Sequence, residues 1–146
     1  MSAAGVTADA AADRHVRAWL ALVGALGLHV LDEALTGFLE FYNPLVLQIR
    51  SRVSWFPMPT FTFGVWLTGL IALVVMLALL APVVRNGGMP IRLASWVLVL
   101  IMFMNGVGHL AGSLYFGRWL PGATSAPLLL ITSIGLASAV LRRSAD

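Results

Sequence analysis

The chain contains no cysteine. Disulfides, thiolate metal sites, iron–sulfur clusters and cysteine nucleophiles are excluded together, and the redox compartment is left open. Charge is also scarce: 10% of the 146 residues are charged, where soluble domains carry about 25%. Hydrophobic residues make up 60% and the mean hydropathy is +0.92. That balance excludes an ordinary soluble domain and reads as an integral membrane protein. The basic residues number nine, all arginine, against six acidic ones, for a net +3. They stand singly or in pairs beside apolar segments. No basic run is continuous or interleaved with aromatics, so the sequence offers no nucleic-acid surface. No G-x-S-x-G occurs and no serine lies near a histidine by motif, which leaves serine catalysis unsupported. No internal repeat stands out.

The apolar residues fall into four long stretches. We read residues 1–13, rich in alanine, as a disordered N-terminus, and 14–146 as a single four-span domain, all-α. The spans cover about 17–40, 62–84, 91–115 and 124–141, each near the ~20 residues that cross a bilayer. The first is read as a span and not a cleavable signal, because its apolar run is too long and no A-x-A-like site follows. Tyr42-Asn43-Pro44 ends it, since the residue before proline avoids the helical region. Within 44–60, Leu45, Val46, Ile49, Val53 and Phe56 have rough helical spacing. They predict a short interfacial helix between spans 1 and 2, with Arg50 and Arg52 toward the head groups and Trp55 at the boundary. Pro57 and Pro59 force an extended turn after it. The second span carries no charge and reads as scaffold. The whole is a four-helix transmembrane bundle. Arginine counting sets Arg14, Arg17, Arg85, Arg92, Arg142 and Arg143 against Arg50, Arg52 and Arg118. It favours both termini in the cytoplasm, with a bacterial inner (cell) membrane as the expected location.

Against this apolar background one stretch is out of place: Leu28-His29-Val30-Leu31-Asp32-Glu33-Ala34-Leu35-Thr36. At 100° per residue, His29, Asp32, Glu33, Thr36 and Glu40 occupy one narrow sector of a helix. Each ionisable group at membrane depth costs roughly 2.5–3.5 kcal/mol on insertion scales. That face must therefore meet protein, water or a metal. The third span offers a counterpart in Asn105-Gly106-Val107-Gly108-His109, where Asn105, Gly108, His109 and Gly112 share a face. At 1.5 Å per residue, His29 and Glu33 lie about 17–24 Å into span 1, and Asn105 and His109 roughly 20–27 Å into span 3. Both spans run the same way, so the two clusters overlap in depth. One shared polar pocket between them is the expectation.

His29-Val-Leu-Asp32-Glu33 followed by Asn105-Gly-Val-Gly-His109 resembles the HXXEE family of small membrane proteins, named for a His-x-x-Glu-Glu and carrying a later Asn-x-x-x-His. Tyr115 and Pro121-Gly122-x-Thr124-Ser125-Ala-Pro127 resemble the segment that commonly follows. The likeness spans about Trp19 to Leu141. Asp32 stands where the family has its first glutamate. The resemblance implies a fold and a site; the family's function is uncharacterised, so it implies no reaction.

The residues themselves support several chemistries. His29 and Glu33 at i, i+4, with His109 from the third span, make a His₂-carboxylate metal set suited to Zn²⁺ or Fe²⁺. Asp32 or Glu33 can then act as general base and Asn105 can orient a ligand or polarise a carbonyl. This predicts a membrane-embedded, hydrolase-like metal enzyme acting on a lipid-phase or amphipathic small molecule. Membrane lipids are its surroundings, nucleic acid is not a partner, and a homo-oligomer is open. The alternatives are a proton-coupled transporter or relay, haem held between His29 and His109, and a self-neutralised polar core that only packs helices. Of the remaining polar residues, His15 reads as a solvated flank and Glu40 as a partner for Arg118. Tyr115 and Trp119 read as aromatic-belt anchors, and Thr36 as a bond to a ligand or to its own backbone.

Overall fold

The computed structural model describes residues 3–145, and among these there is no strand. Six helices follow in order: α1 Ala3–Thr36, α2 Phe38–Arg52, α3 Phe63–Leu79, α4 Ala81–Asn86, α5 Met89–Phe116 and α6 Ala126–Ala145. Three are long and apolar enough to cross a membrane, over Asp9–Thr36, Met89–Phe116 and Ala126–Arg143. The uncharged second stretch is divided. Pro82 has no N–H to return to the Ala78 carbonyl, and its ring crowds the preceding turn. The helix therefore stops at Leu79 and resumes as α4, leaving α3 a shorter apolar helix of 17 residues.

Two helix boundaries differ from the sequence reading. The first concerns the N-terminus, expected to be disordered over 1–13. Residues 1–2 lie outside the described residues. From Ala3 onward the chain is already α1. Ala11 and Ala12 are buried, and Asp13 pairs with Arg85. The second concerns the end of the first span. It stops at Thr36, not near Glu40, because Gly37 adopts a left-handed backbone (φ 77°, ψ 42°) that favours glycine. The next helix begins there. Tyr42-Asn43-Pro44 therefore lies inside α2 and terminates nothing, and Glu40 sits in the first turn of α2, where the helix dipole favours a carboxylate. The expected interfacial helix exists but starts at Phe38.

The core is assembled around α1 and α6. Helix α6 packs on both α1 and α5, while α3 and α4 pack on α1. Trp19, Leu22, Leu26 and Val30 of α1 meet Leu77, Val84, Leu98, Met102, Leu129, Leu136 and Val140 in one cluster. Within a bilayer the alternative to this packing is contact with lipid, so close van der Waals packing, and not removal from water, holds the cluster together. Trp19 also donates its indole N–H to the Leu77 carbonyl at 2.8 Å, which ties α1 to the last turns of α3. Gly106 lets α6 approach α5: a Cβ there would lie 3.0 Å from the Ala126 carbonyl oxygen. Large apolar side chains such as Leu93, Leu100, Ile101 and Leu114 of α5 and Val65, Ile71 and Leu79 of α3 point outward. An apolar exterior of this extent suits hydrocarbon and not water.

His15 is not a solvated flank. It is fully buried, with Nε2 2.9 Å from Ser95 Oγ and Nδ1 3.1 Å from Arg143 Nη1. Ser95 donates its own proton to the Ile91 carbonyl at 2.8 Å, so His15 Nε2–H donates to Ser95 and Nδ1 accepts from Arg143. The Arg143 guanidinium also donates to the Val84 and Arg85 carbonyls at 2.8 and 2.7 Å. One arginine thus closes the end of α4 and joins it to α1 and α6.

Candidate metal centre

The lower half of α1 turns His29, Asp32 and Glu33 inward together. His29 and Glu33 are buried, at 1% and 5% exposure. The loop after α5 folds back between α1 and α5 and becomes the entry to α6. It is this loop, residues 120–125, that receives the polar face of α1.

Each histidine is oriented through Nδ1. Ser125 Oγ lies 2.7 Å from Asp32 Oδ2, 3.2 Å from the Gly122 carbonyl and 2.8 Å from His29 Nδ1. A hydroxyl has one proton, and the nearest and only charged acceptor is Asp32. His29 Nδ1–H therefore donates to Ser125. Asp32 Oδ2 also accepts the Ser125 backbone N–H at 2.9 Å. His109 Nδ1 faces the Pro121 carbonyl at 2.6 Å; a carbonyl only accepts, so this Nδ1 carries the proton too. In its neutral form each imidazole therefore presents an unprotonated Nε2.

Those two nitrogens converge on one oxygen. Glu33 Oε1 is 3.1 Å from His109 Nε2 and 3.6 Å from His29 Nε2. His29 Nε2 is buried without a hydrogen-bond partner. The three ligand atoms lie within 4.8 Å of one another, so His29, Glu33 and His109 form a group that could hold a metal ion. A tetrahedral ion with bonds of about 2.0–2.1 Å separates its ligands by roughly 3.3–3.4 Å, and the two histidine–glutamate distances, 3.1 and 3.6 Å, lie on either side of that value. With both imidazoles neutral, two Nε2 lone pairs face the carboxylate, and a cation or a proton at their centre offsets that repulsion. Histidine ligands held through their other nitrogen are the usual arrangement in metal sites.

Asn105 lies on α5 one turn before His109, beside the His29 ring. Asn105 Oδ1 and His29 Nε2 are both buried without a partner in hydrogen-bond geometry, although the two side chains are close enough to interact. Asp32 stands apart from the converging atoms and reaches them only through Ser125. Thr36 bonds its own backbone, donating to the Asp32 carbonyl at 2.6 Å. The expected Glu40–Arg118 pair is not among the ion pairs of the described residues; the Arg118 guanidinium instead lies over the Phe41 ring, 5.7 Å from its centroid. The two imidazoles touch edge to face, with centroids 4.7 Å apart. That leaves no slot for a porphyrin between them.

Gly122 makes this contact possible. Its φ is +82°, and a Cβ would lie 2.7 Å from His109 Cε1 and 3.0 Å from His29 Cε1. Any side chain would displace both rings. Phe38, the first residue of α2, closes the site from another side, 5.8 Å from His109 and 5.8 Å from Trp66 between ring centroids. Two cavities open beside the centre. One, of about 370 Å³, includes Glu33 in its wall, and the other, of about 330 Å³, includes Asn105 and His109; Phe38 lines both.

Sequence reasoning quoted Pro121, Gly122 and Ser125 only for the family resemblance and gave them no role in the site, and it left out Phe38. Ser125 and Gly122 had a signal in Pro121-Gly122-Ala123-Thr124-Ser125, a turn dipeptide followed by two hydroxyls at the mouth of an apolar helix. Phe38 had none, because its role depends on the break at Gly37.

No curated protein and no solved structure matches the chain. The family described as "Protein of unknown function with HXXEE motif" matches residues 19–136. That stretch includes His29, Asp32, Glu33, Asn105, His109 and Ser125 and covers most of the sequence, and the chain belongs to the HXXEE family.

Proposed function

We propose that the protein is a membrane-embedded, divalent-metal-dependent enzyme of hydrolytic type, acting on a lipid-phase or amphipathic small molecule. The observation that carries this reading is the convergence of the His29 and His109 Nε2 atoms on Glu33 Oε1, with His29 Nε2 buried and without a hydrogen-bond partner. His29, Glu33 and His109 are the proposed ligands, and zinc or ferrous iron suits their donor atoms. Such an ion, when bound, polarises a substrate carbonyl and acidifies water. Asp32 acts through Ser125, holding His29 with Nε2 toward the centre. That is a positioning role, and it replaces the general-base role the sequence suggested for Asp32. Glu33, held as a ligand through Oε1, would take the proton of the attacking water on its other oxygen, Oε2. Asn105 orients the substrate or completes the ligand set. The two flanking cavities, walled mainly by apolar and aromatic side chains, are where the substrate sits.

We place the centre in a four-span bundle, with α3 and α4 together as the second pass and both termini in the cytoplasm of a bacterial cell. Metal analysis of detergent-purified protein tests the function. About one equivalent of zinc or iron, lost in His29→Ala and in His109→Ala, is the expected result. No metal under any loading condition removes the reading.

A second reading has its own support. The 3.1 Å from His109 Nε2 to Glu33 Oε1 is also a hydrogen-bond distance, so one proton held there would neutralise the pair. This is the proton-relay alternative. It predicts no bound metal, and proton flux into liposomes that Glu33→Gln abolishes.

A further inference from the structure

The cavity beside Glu33 has a wall chemistry of its own. Phe38, Phe61, Phe63 and Trp66 line it, together with the carboxylates of Glu33 and Glu40. Phe38 is stacked between Trp66 and Tyr42, with centroids 5.8 and 5.3 Å away, Phe63 lies 6.0 Å from Trp66, and Phe61 lies 6.1 Å from Tyr42. No basic side chain lines it, although the chain carries nine arginines and a net charge of +3. The Glu33 carboxylate is engaged with the histidines, as shown by its 3.1 Å approach to His109. Glu40 is exposed and has no ion-pair partner among the described residues. Aromatic faces attract cations through the negative potential above the ring, and more strongly where water is excluded. A hard inorganic ion wants six or more oxygens, which this wall does not supply. An organic ammonium group needs only ring faces and a nearby negative charge.

We infer that the cavity formed by Phe38, Phe61, Phe63, Trp66 and Glu40 beside Glu33 binds a quaternary or protonated-amine head group, so that the substrate is a cationic amphiphile. The assignment of the bound molecule as substrate rests on the metal-enzyme reading. The binding preference rests on the cavity alone. The ammonium lies against the rings with Glu40 as its counter-charge. The second cavity, apolar apart from Asn105 and His109, takes the uncharged part of the molecule. Glu33 and His109 then stand between the two halves.

The test uses the full chain in nanodiscs made from lipids without amine head groups. Radiolabelled choline is the probe, and 3,3-dimethylbutanol, which has the same shape and no charge, is the competitor. Unlabelled choline should displace the label at least about tenfold better than the neutral analogue. Glu40→Gln should weaken choline binding by about tenfold, and Phe61→Leu by severalfold. Neither should change the metal content, since neither residue touches the histidines. Equal displacement by choline and the neutral analogue overturns the inference, as does an unchanged affinity in Glu40→Gln. Metal content measured on the same samples separates the two ideas. Selective choline binding in metal-free protein keeps the cage and removes the enzyme reading. Bound metal without charge selectivity does the reverse.

Discussion

At the scale of single residues, the site is decided by groups that do not themselves face its centre. Ser125 fixes the His29 tautomer by accepting from Nδ1 and passing its own proton to Asp32. Removing a group that orients a metal ligand commonly lowers affinity 10- to 100-fold. Ser125→Ala should therefore weaken zinc binding by about that factor while leaving the three ligands in place, as read by competition with a chelator of known affinity. Asp32→Asn should fall in the same range and should not add to Ser125→Ala in the double variant, because both act on one hydrogen-bonded chain. An additive loss would separate Asp32 from this chain. Gly122→Ala should be harsher. Its left-handed backbone costs about 1–2 kcal/mol for any other residue, and the new Cβ meets both imidazoles. Loss of bound metal together with a lower thermal midpoint is the expected outcome.

At the scale of elements, the interesting boundary is the one between α1 and α2. Asn43 holds the following segment to α2 with a pair of bonds: Nδ2 donates to the Phe61 carbonyl at 2.9 Å, and the Phe61 N–H donates to Oδ1 at 3.1 Å. Tyr42 adds a bond to the Pro59 carbonyl at 3.0 Å. Through these ties the proline-rich stretch and the start of α3 are held against α2, and Phe38 is held over His109. Asn43→Ala should cost about 1–3 kcal/mol locally, because the Phe61 backbone groups lose their partner. Faster amide exchange over residues 57–63, with α5 and α6 unchanged, is the measurable sign. This region also marks where sequence reasoning reached its limit. The residues that converge, His29, Glu33 and His109, were legible because helical periodicity places polar groups on a face and an apolar background makes them conspicuous. The ends of helices were less so. Pro44 argues locally for a stop, yet the break fell at Gly37, because a left-handed residue ends a helix more sharply than a proline in the early turns of the next one. Likewise His15, flanked by Arg14 and Arg17, has the sequence context of an exposed residue. Only the partners brought in by α5 and α6, Ser95 and Arg143, account for its burial.

At the scale of the whole molecule, the number of bilayer crossings turns on α3 and α4. Three helices have the length, and α3 with α4 provides 17 and 6 further helical residues around Leu80. At 1.5 Å per residue the pair reaches about 35 Å, enough to cross hydrocarbon of about 30 Å. The absence of native cysteine makes the question easy to put. Ser51→Cys and Asn86→Cys flank the pair, and both positions are exposed. A membrane-impermeant maleimide applied outside intact cells should label the first and not the second. Labelling of both, or of neither, would mean that α3 and α4 enter and leave on the same side.

The loop at 120–125 carries one last consequence, in the order of synthesis. His29 and Glu33 emerge early from the ribosome and His109 much later, but the groups that aim the two imidazoles, Pro121 and Ser125, come later still. A nascent chain halted before residue 121 would carry all three proposed ligands without the groups that orient their imidazoles. On the metal-centre proposal, such a truncated chain should bind zinc more weakly than the full one.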